Sequence, residues 1–269
     1  MLNVGHFPSS PWAPYYAPKW LWERDRWVAC VSSEVRSLAQ ASMLDVTPMA
    51  TVDWLDMKDR FERVGSFGLS YRDVAQSVLL FSDRPIHELD ASPIAVSTET
   101  TTSIRVLRAV LAGRYGLALG PLIPMSANVP ASIPRLLIQD QAIEEAALGR
   151  YKHVHDLGRE WWAWQRTPIV SAVWVRRADL PAAEVDRSGR ILGTALEWSD
   201  ANPGEMARSF LGNNSSASLD ASGLLTLLSN FRFRLGAEEE HGIDTMSRLL
   251  EPRSAIENAY ADGRQVAAE

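Results

Sequence analysis

Apolar residues in this chain form short runs that alternate with amphipathic stretches. The runs are rich in Val, Ile and Leu and lie at residues 2–7, 27–31, 44–49, 77–82, 93–97, 135–139 and 169–175. Their length and composition predict β-strands. Three stretches between them space apolar residues three or four positions apart, which predicts helices: SSEVRSLAQAS, TTSIRVLRAVLAGRYG and DQAIEEAALGR. The alternation predicts an α/β protein with largely parallel sheets.

Hydroxyl side chains mark the starts of the first two predicted helices. Ser32 or Ser33 is expected to cap the first, and Thr101 or Thr102 the second, because the N–H groups of a first helical turn need acceptors. After about residue 180 the pattern becomes helical, through AEVDRSGRILGTALEWS, PGEMARSFL, ASGLLTLLSNF and AEEEHGIDTMSRLLE.

Two breaks in the pattern, at residues 82–93 and 166–170, predict that the chain crosses between two lobes. We therefore expect one lobe from residues 1–83 plus 174–269 and another from residues 84–173. A cleft between two such lobes is a natural ligand site.

Charge and cysteine content narrow the classes of ligand. The chain carries 27 Lys and Arg against 33 Asp and Glu, a formal charge of −6, which argues against nucleic acid and anionic lipid as partners. A small anionic molecule stays compatible, because a local pocket can be rich in donors. Cys30 is the only cysteine, and His153 and His155 lack a third ligand at metal-site spacing. We predict no metal and no membrane partner.

The N-terminus MLNVGHF lacks a basic segment followed by an apolar stretch, and no apolar run reaches about 18 residues. These features predict a cytoplasmic location. The sequence leaves the oligomeric state open.

Seven segments, in order along the chain, carry a resemblance to one family. They are VGHF at 4–7, LDVTPMATVDW at 44–54, DVAQSVLLFS at 73–82, IAVSTETTTSI at 94–104, LLIQDQAI at 136–143, DLGREWWAWQRTPIVSAVW at 156–174 and NFRFRLGAEEEHGID at 230–244. Together they resemble the chorismate dehydratases of the futalosine menaquinone pathway. The resemblance implies a two-lobed periplasmic-binding-protein fold of type II. It also implies a carbon–oxygen lyase that uses no cofactor and acts on a small anionic carboxylate, chorismate.

The resemblance also implies the residues of the site. Ser77 and Ser10 are the expected catalytic residues. The expected substrate-binding residues are Ser9, Arg72, Thr101, Thr102, Ser103 and Asp140. Six of these residues have a structural alternative: Ser77 can close a strand end, Arg72 can be a solvated loop residue, and helix capping is the alternative for Thr101, Thr102, Ser103 and Asp140. His6, at the end of the first strand, is a weaker candidate for the cleft.

Three positions depart from the family pattern. Pro11 stands where the family loop carries an Asn, Asp73-Val74 replaces a Gly-Pro pair, and Gln139 replaces the glycine of an Ile-Gly-Asp motif. Proline supplies neither a side-chain donor nor an N–H. Two alternatives therefore stay open: a divergent paralogue that acts on another cyclohexadienyl or enolpyruvyl acid, and a non-catalytic solute-binding protein.

Overall fold

A computed structural model describes residues 1–126, 128–214 and 219–250. The chain divides into two compact units. Among the described residues, the first holds those in 1–70 and 170–237, and the second holds those in 71–169 and 238–250. The sequence placed these divisions after residues 83 and 173, with the C-terminal segment in the first lobe. Residues 251–269 of that prediction lie outside the described part of the chain.

The first unit is built on a six-stranded sheet with the order β11-β4-β10-β3-β1-β2. Its strands are β1 (Asn3–His6), β2 (Arg26–Ala29), β3 (Val46–Ala50), β4 (Phe61–Tyr71), β10 (Ile169–Arg177) and β11 (Phe231–Arg234). β1 pairs in parallel with β2 and with β3, whereas β10 is antiparallel to β3.

The second unit is built on a five-stranded sheet with the order β7-β6-β8-β5-β9. Its strands are β5 (Val78–Ser82), β6 (Ile94–Val96), β7 (Leu122–Pro124), β8 (Arg135–Ile138) and β9 (His153–Asp156). β6 is parallel to β7 and to β8, and β5 is antiparallel to β8 and to β9.

Ten α-helices accompany the sheets in the part of the chain that the structure describes. They are α1 (Ala13–Tyr16), α2 (Ser32–Gln40), α3 (Thr51–Leu55), α4 (Thr102–Val110), α5 (Gln139–Ala147), α6 (Leu157–Gln165), α7 (Ala182–Ala201), α8 (Pro203–Asn213), α9 (Ala221–Leu228) and α10 (Ala237–Leu249). A single π-helical turn, Leu111–Tyr115, continues α4. Among the described helices, none has the length and apolar content needed to span a bilayer.

The seven predicted strands and the alternation of strands with helices are confirmed, and the protein is an α/β protein. The sequence analysis missed β4, β7, β9 and β11. β4 is the longest strand, at 11 residues, but Gly65, Ser66 and Gly68 interrupt its apolar pattern and are poor strand formers.

The expectation of largely parallel sheets was wrong, because both sheets are mixed. β5 is antiparallel to both of its neighbours, and β10 is antiparallel to β3. Parallel pairing needs a crossover of a dozen or more residues, usually a helix. Only residues 83–93, with one short 3₁₀ turn at Ile86–Glu88, connect β5 to β6. The chain therefore returns in the opposite direction.

The expected cap of the first helix was also wrong. Val31, and neither Ser32 nor Ser33, is the N-cap of α2. The Glu34 side chain accepts a hydrogen bond from the Val31 backbone N–H at 3.1 Å. This is the half of a capping box that the acidic residue of the first turn supplies; Val31 has no hydroxyl to supply the other half.

Each unit has its own core. In the first unit, aromatic side chains surround Trp174, which is fully buried and packs against Trp12, Tyr15, Tyr16 and Trp22. In the second unit, the core includes the buried side chains of Leu79, Phe81, Leu137 and Ala142. Burial of this apolar surface is the main force that holds each sheet to its helices.

Candidate functional site

The predicted site residues of the second unit gather at one edge of its sheet. β6 and β8 run in parallel, with Val96 opposite Leu136, so their carboxyl ends meet at this edge. β5 is antiparallel to β8, with Val78 opposite Ile138, so β5 begins at the same edge. Ser77, directly before β5, therefore lies beside the residues that follow β6 and β8.

Three helices begin at this edge. α4, α5 and α6 follow β6, β8 and β9, and each is nine residues long. The N-terminus of a helix carries a partial positive charge and backbone N–H groups that lack intrahelical acceptors. Helix N-termini gathered at one sheet edge favour the binding of an anion there.

The start of α4 holds a group of buried hydroxyls. Thr101 is the N-cap residue, but its side chain makes no capping hydrogen bond. Thr100, Thr101 and Thr102 are each only 6% exposed, and Ser103 is half-buried. The Oγ1 atoms of Thr100 and Thr101 are buried and have no hydrogen-bond partner among the described residues. A buried hydroxyl without a partner is costly, so a ligand oxygen at this place would relieve the cost.

The start of α5 joins this edge to Ser77. The backbone N–H of Gln139 donates to the Ser77 carbonyl oxygen at 2.7 Å. Ser77 is only 3% exposed, and Asp140 follows in the first turn of α5. The structure thus places Ser77 against Gln139, the residue before Asp140. The roles of Ser77 and Asp140 stay predictions.

Gln139 has a φ of +54°, in the left-handed region that favours glycine. The same holds for Asp73, whose φ is +67°. These two residues stand at the two positions where the family pattern has glycine. The glycine is lost at both positions, but the backbone conformation that glycine favours is kept.

A carboxylate also lies at this edge. The Gln141 side-chain amide donates to Glu99 Oε1 at 3.2 Å, which links the first turn of α5 to the loop before α4. Glu99 is half-buried, and its backbone N–H donates to Ser97 Oγ at 3.3 Å. An anionic ligand at the start of α4 would therefore lie near the negative charge of Glu99. The ligand carboxylate would need hydrogen bonds from the nearby hydroxyls and the helix N–H groups to offset the repulsion.

The start of α6 differs from that of α4, because a carboxylate already occupies it. Asp156 is the N-cap residue and accepts hydrogen bonds from the backbone N–H groups of Gly158 at 2.9 Å and Arg159 at 3.4 Å. It also accepts from the backbone N–H groups of Ala75 and Gln76 in the loop that leads to Ser77. Burial raises the pKa of Asp156 above its usual range, although these donors act to lower it.

Arg72 lies at the beginning of the same loop. Its guanidinium lies 4.3 Å over the Trp162 ring and 3.5 Å from Glu238 Oε1, and about half of its side chain is exposed. These contacts hold the side chain against α6 and the start of α10. The predicted role of Arg72 in binding a carboxylate stays a prediction.

In the first unit, the predicted residues Ser9 and Ser10 follow β1. Both are buried, and Ser10–Trp12 forms a short 3₁₀ turn with Pro11 inside it. Ser9 Oγ has no hydrogen-bond partner among the described residues. Pro11 fits the early position of this turn, because its fixed φ and missing N–H cost nothing there. The roles of Ser9 and Ser10 stay predictions.

His6, at the end of β1, packs among aromatic rings. It stacks on Trp27 with the ring centroids 4.3 Å apart and meets the edge of Tyr16 at 4.6 Å. Burial, and to a smaller extent the charge of Lys19, lowers the pKa of His6 to about 4. A neutral, packed imidazole is poorly suited to bind a carboxylate.

His153 and His155 lie on one face of β9, as expected for a strand, with their rings stacked 6.1 Å apart. His155 Nδ1 lies 3.3 Å from Glu160 Oε1, and the Tyr115 hydroxyl donates to Glu160 Oε2 at 2.7 Å. Within residues 1–126, 128–214 and 219–250, no group of three His, Cys, Asp or Glu is arranged to hold a metal ion.

The sequence model of the menaquinone biosynthesis family matches residues 2–252. This match covers nearly the whole chain. The chain belongs to this family. The resemblance to the chorismate dehydratases, inferred from seven short segments, is thereby confirmed. Membership in the menaquinone biosynthesis family supports a role in that pathway.

Solved structures similar to this menaquinone-family protein show its fold. Protein AF1704 from Archaeoglobus fulgidus is 18% identical over 97% of each chain, with a TM-score of 0.73. The alkanesulfonate-binding protein SsuA from Xanthomonas axonopodis pv. citri, bound to MOPS, is 14% identical over 96% of each chain, with a TM-score of 0.66. The Candida albicans CA3427 gene product, described as having the generic periplasmic-binding-protein fold, is 10% identical over 100% of this chain and 99% of its own, with a TM-score of 0.64. The predicted periplasmic-binding-protein fold is confirmed.

Sequence reasoning missed two residues of this edge. Thr100 belongs to the same run of hydroxyls, but no motif position distinguished it. Asp156 stood inside a family segment without an assigned role. A signal was present, because an Asp between a predicted strand and a helix, followed two residues later by Gly158, is typical of an N-cap.

Proposed function

We propose that this protein dehydrates chorismate to 3-[(1-carboxyvinyl)oxy]benzoate and water, without a cofactor. The observation that carries the proposal is the sheet edge of the second unit, where buried threonine hydroxyls at the start of α4 lie beside Ser77 and the start of α5. Family membership supports it. So does the fold, since a similar protein of this fold is an alkanesulfonate-binding protein.

In the proposed reaction, the C3 proton and the C4 hydroxyl leave the cyclohexadiene ring, and the ring becomes aromatic. The conjugated ring carboxylate acidifies the C3 proton. The enolpyruvyl carboxylate of the substrate lies close to that proton and accepts it, and the proton leaves with the C4 hydroxyl as water. Strong basicity from the protein is therefore unnecessary. Its task is to hold a reactive conformer and to stabilise developing charge with fixed donors.

The residues of this edge that the sequence predicted have proposed roles. The start of α4, with Thr101, Thr102 and Ser103, binds a substrate carboxylate through backbone N–H groups and hydroxyls. Ser77 donates a hydrogen bond to the leaving hydroxyl. Asp140 orients neighbouring donors.

The roles proposed for Ser9, Ser10 and Arg72 come from the resemblance. Ser10 assists catalysis, and Ser9 and Arg72 bind substrate carboxylate. A guanidinium binds a carboxylate through two parallel hydrogen bonds, which requires Arg72 to exchange its contact with Glu238.

Incubation of the purified protein with chorismate, followed by mass spectrometry, tests the proposal. We expect loss of one water and formation of the aromatic enol ether, with no metal or nucleotide added. Pro11→Asn restores the amide of the family loop, and removal of one such donor typically costs about 100- to 1,000-fold. We therefore expect faster turnover in Pro11→Asn, with Pro8→Asn as the control for a proline outside the motif position.

Two other functions have a specific observation in their favour. Pro11, Asp73 and Gln139 replace family residues, which favours a paralogue acting on another chorismate-like acid. The similarity to solute-binding proteins favours a binding protein without turnover. Binding of chorismate without conversion in both the wild type and Pro11→Asn would support the binding protein. No binding in calorimetry would support the paralogue.

A further inference from the structure

The loop that leads to Ser77 has an irregular backbone. Residues 72–77 connect β4 to β5 without forming a helix or strand. Two of them, Asp73 and Gln76, have φ angles of +67° and +58°. Non-glycine residues adopt this region at a cost, so the surrounding structure must hold the loop in place.

Hydrogen bonds to Asp156 stabilise the conformation of this loop. The Asp156 Oδ2 atom accepts hydrogen bonds from the backbone N–H groups of Gln76 at 2.7 Å and Ala75 at 3.0 Å. Its Oδ1 atom accepts from the backbone N–H groups of Gly158 at 2.9 Å, Ala75 at 3.2 Å and Arg159 at 3.4 Å. One carboxylate thus ties the loop to the first turn of α6.

Gly158 allows the loop to approach this closely. A Cβ atom at this position would collide with the carbonyl oxygen of Asp73 and would lie 2.9 Å from a ring carbon of Tyr71. The backbone of the loop therefore crosses directly over the start of α6, in space that any side chain at residue 158 would fill.

Ser77 is then held from two sides. Gln76, the residue before it, donates to Asp156, and the carbonyl oxygen of Ser77 accepts from the Gln139 N–H at 2.7 Å. An ordinary N-cap bonds only the first turn of its own helix. Asp156 does this and also bonds two consecutive N–H groups on a segment about 80 residues away in sequence.

We infer that Asp156 is a positioning residue for the proposed reaction: together with Gly158, it fixes the 72–77 loop and so sets the position of Ser77. The inference rests on the proposed function for the role of Ser77. The hold of Asp156 on the loop does not depend on the identity of the substrate.

The first experiment measures the loop without any ligand, by amide hydrogen exchange of residues 72–78. In Asp156→Asn, one acceptor oxygen becomes a donor, so exchange at Ala75 and Gln76 is expected to rise about tenfold or more. Gly158→Ala keeps the carboxylate and is expected to loosen the same amides. Unchanged exchange in both variants would overturn the inference.

Asp90→Asn is the matched control. Asp90 Oδ1 accepts from the backbone N–H of Ala118 at 2.9 Å, in the same unit. It lies between the end of β5 and the start of β6, which is the opposite edge of the sheet. Its substitution is expected to leave exchange at Ala75 and Gln76 unchanged. A rise equal to that in Asp156→Asn would show general loosening and contradict the inference.

The second experiment measures chorismate turnover. Small misplacement of a catalytic group lowers kcat by about 100-fold, so Asp156→Asn and Gly158→Ala are expected to lower kcat with little change in KM. Loosened exchange with unchanged kcat would make Asp156 purely structural and overturn its positioning role. Wild-type protein that neither binds nor converts chorismate would overturn the proposed function, and the exchange experiment would still decide the hold on the loop.

Discussion

The ends of parallel strands in the two sheets are built from different side chains. In the first unit, β1 leads to His6, Ser9 and Pro11, and His6 is packed between Trp27 and Tyr16. In the second unit, the corresponding edge holds Ser77, the threonines before α4 and the carboxylate of Asp156. At the first edge, His6 is fixed by packing against aromatic rings. At the second edge, Asp156 accepts hydrogen bonds from backbone N–H groups.

This difference bears on where we propose that an anion binds. Packing against aromatic rings keeps His6 neutral, because burial disfavours its charged form. The second edge instead gathers helix N-termini and buried hydroxyls, which stabilise negative charge. At the start of α6, the backbone N–H groups already donate to the carboxylate of Asp156. At α4 two hydroxyls have no partner among the described residues.

The largest expected effect is on stability, at Asp156. Asp156→Ala removes an acceptor from two segments and leaves the backbone N–H groups of the buried residues Ala75 and Gly158 without it, together with those of two exposed residues. The free energy of unfolding is expected to fall by about 3 kcal/mol. Urea unfolding, monitored by circular dichroism, measures it.

Asp220→Ala in the first unit serves as the comparison for this prediction. Asp220 caps α9 and, among the described residues, accepts from one backbone N–H, that of Gly223 at 2.7 Å. Loss of this ordinary cap is expected to cost about 1 kcal/mol. Equal losses in the two variants would show that Asp156 is no more than a helix cap.

The next effect concerns ligand affinity at α4. Thr102→Ala or Ser103→Ala is expected to weaken binding of the ligand carboxylate by about 1–3 kcal/mol, as for a hydrogen bond to a charged group. Thr101→Val, which keeps the shape and removes a buried hydroxyl, is expected to act in the same direction. Calorimetry with chorismate provides the measurement. Unchanged affinity with lowered stability would favour plain capping.

A third effect tests the packed histidine of the first edge. The pKa of His6 is about 4 in the folded protein, against 6.5 for an exposed imidazole. The unfolded chain therefore binds a proton at a higher pH than the folded protein, and stability falls as the pH drops from about 6.5 towards 4. The loss is expected to be about 1–2 kcal/mol after allowance for partial exposure.

Unfolding free energies of the wild type and His6→Phe, measured between pH 7 and pH 4, check this effect. The variant is expected to show a weaker decline with falling pH. His87, whose side chain is 66% exposed, provides the control, since His87→Gln is expected to keep the wild-type decline. Identical slopes for the wild type and His6→Phe would contradict the prediction.

The smallest effect concerns the left-handed backbone at Gln139. Gln139→Gly relieves a strained φ and is expected to raise the free energy of unfolding by at most about 1 kcal/mol. Gln40→Gly, at the end of α2, is expected to lower it by about as much, because glycine is a poor helix former. Denaturant titration of both variants checks that their free energies of unfolding change in opposite directions.

Seven of the strands and the family were predictable from sequence, whereas the site residues of the second unit stay predictions. Strands such as β5 and β8 are short apolar runs, and segments such as TETTTS are local motifs that need no tertiary information. β4 was missed because Gly65 and Gly68 break its pattern. Its residues are nevertheless held as a strand by pairing with neighbouring strands in the sheet.

By itself, the sequence determined which residues have hydroxyl or carboxylate groups and that seven apolar runs form strands, because these depend on local composition and periodicity. Only the tertiary structure decided that β5 enters its sheet in the antiparallel direction, which places Ser77 beside the start of α5. It also decided that Asp156 accepts from Ala75 and Gln76, about 80 residues earlier in the chain. Hydrogen bonds between distant segments depend on strand order and register, which periodicity does not specify.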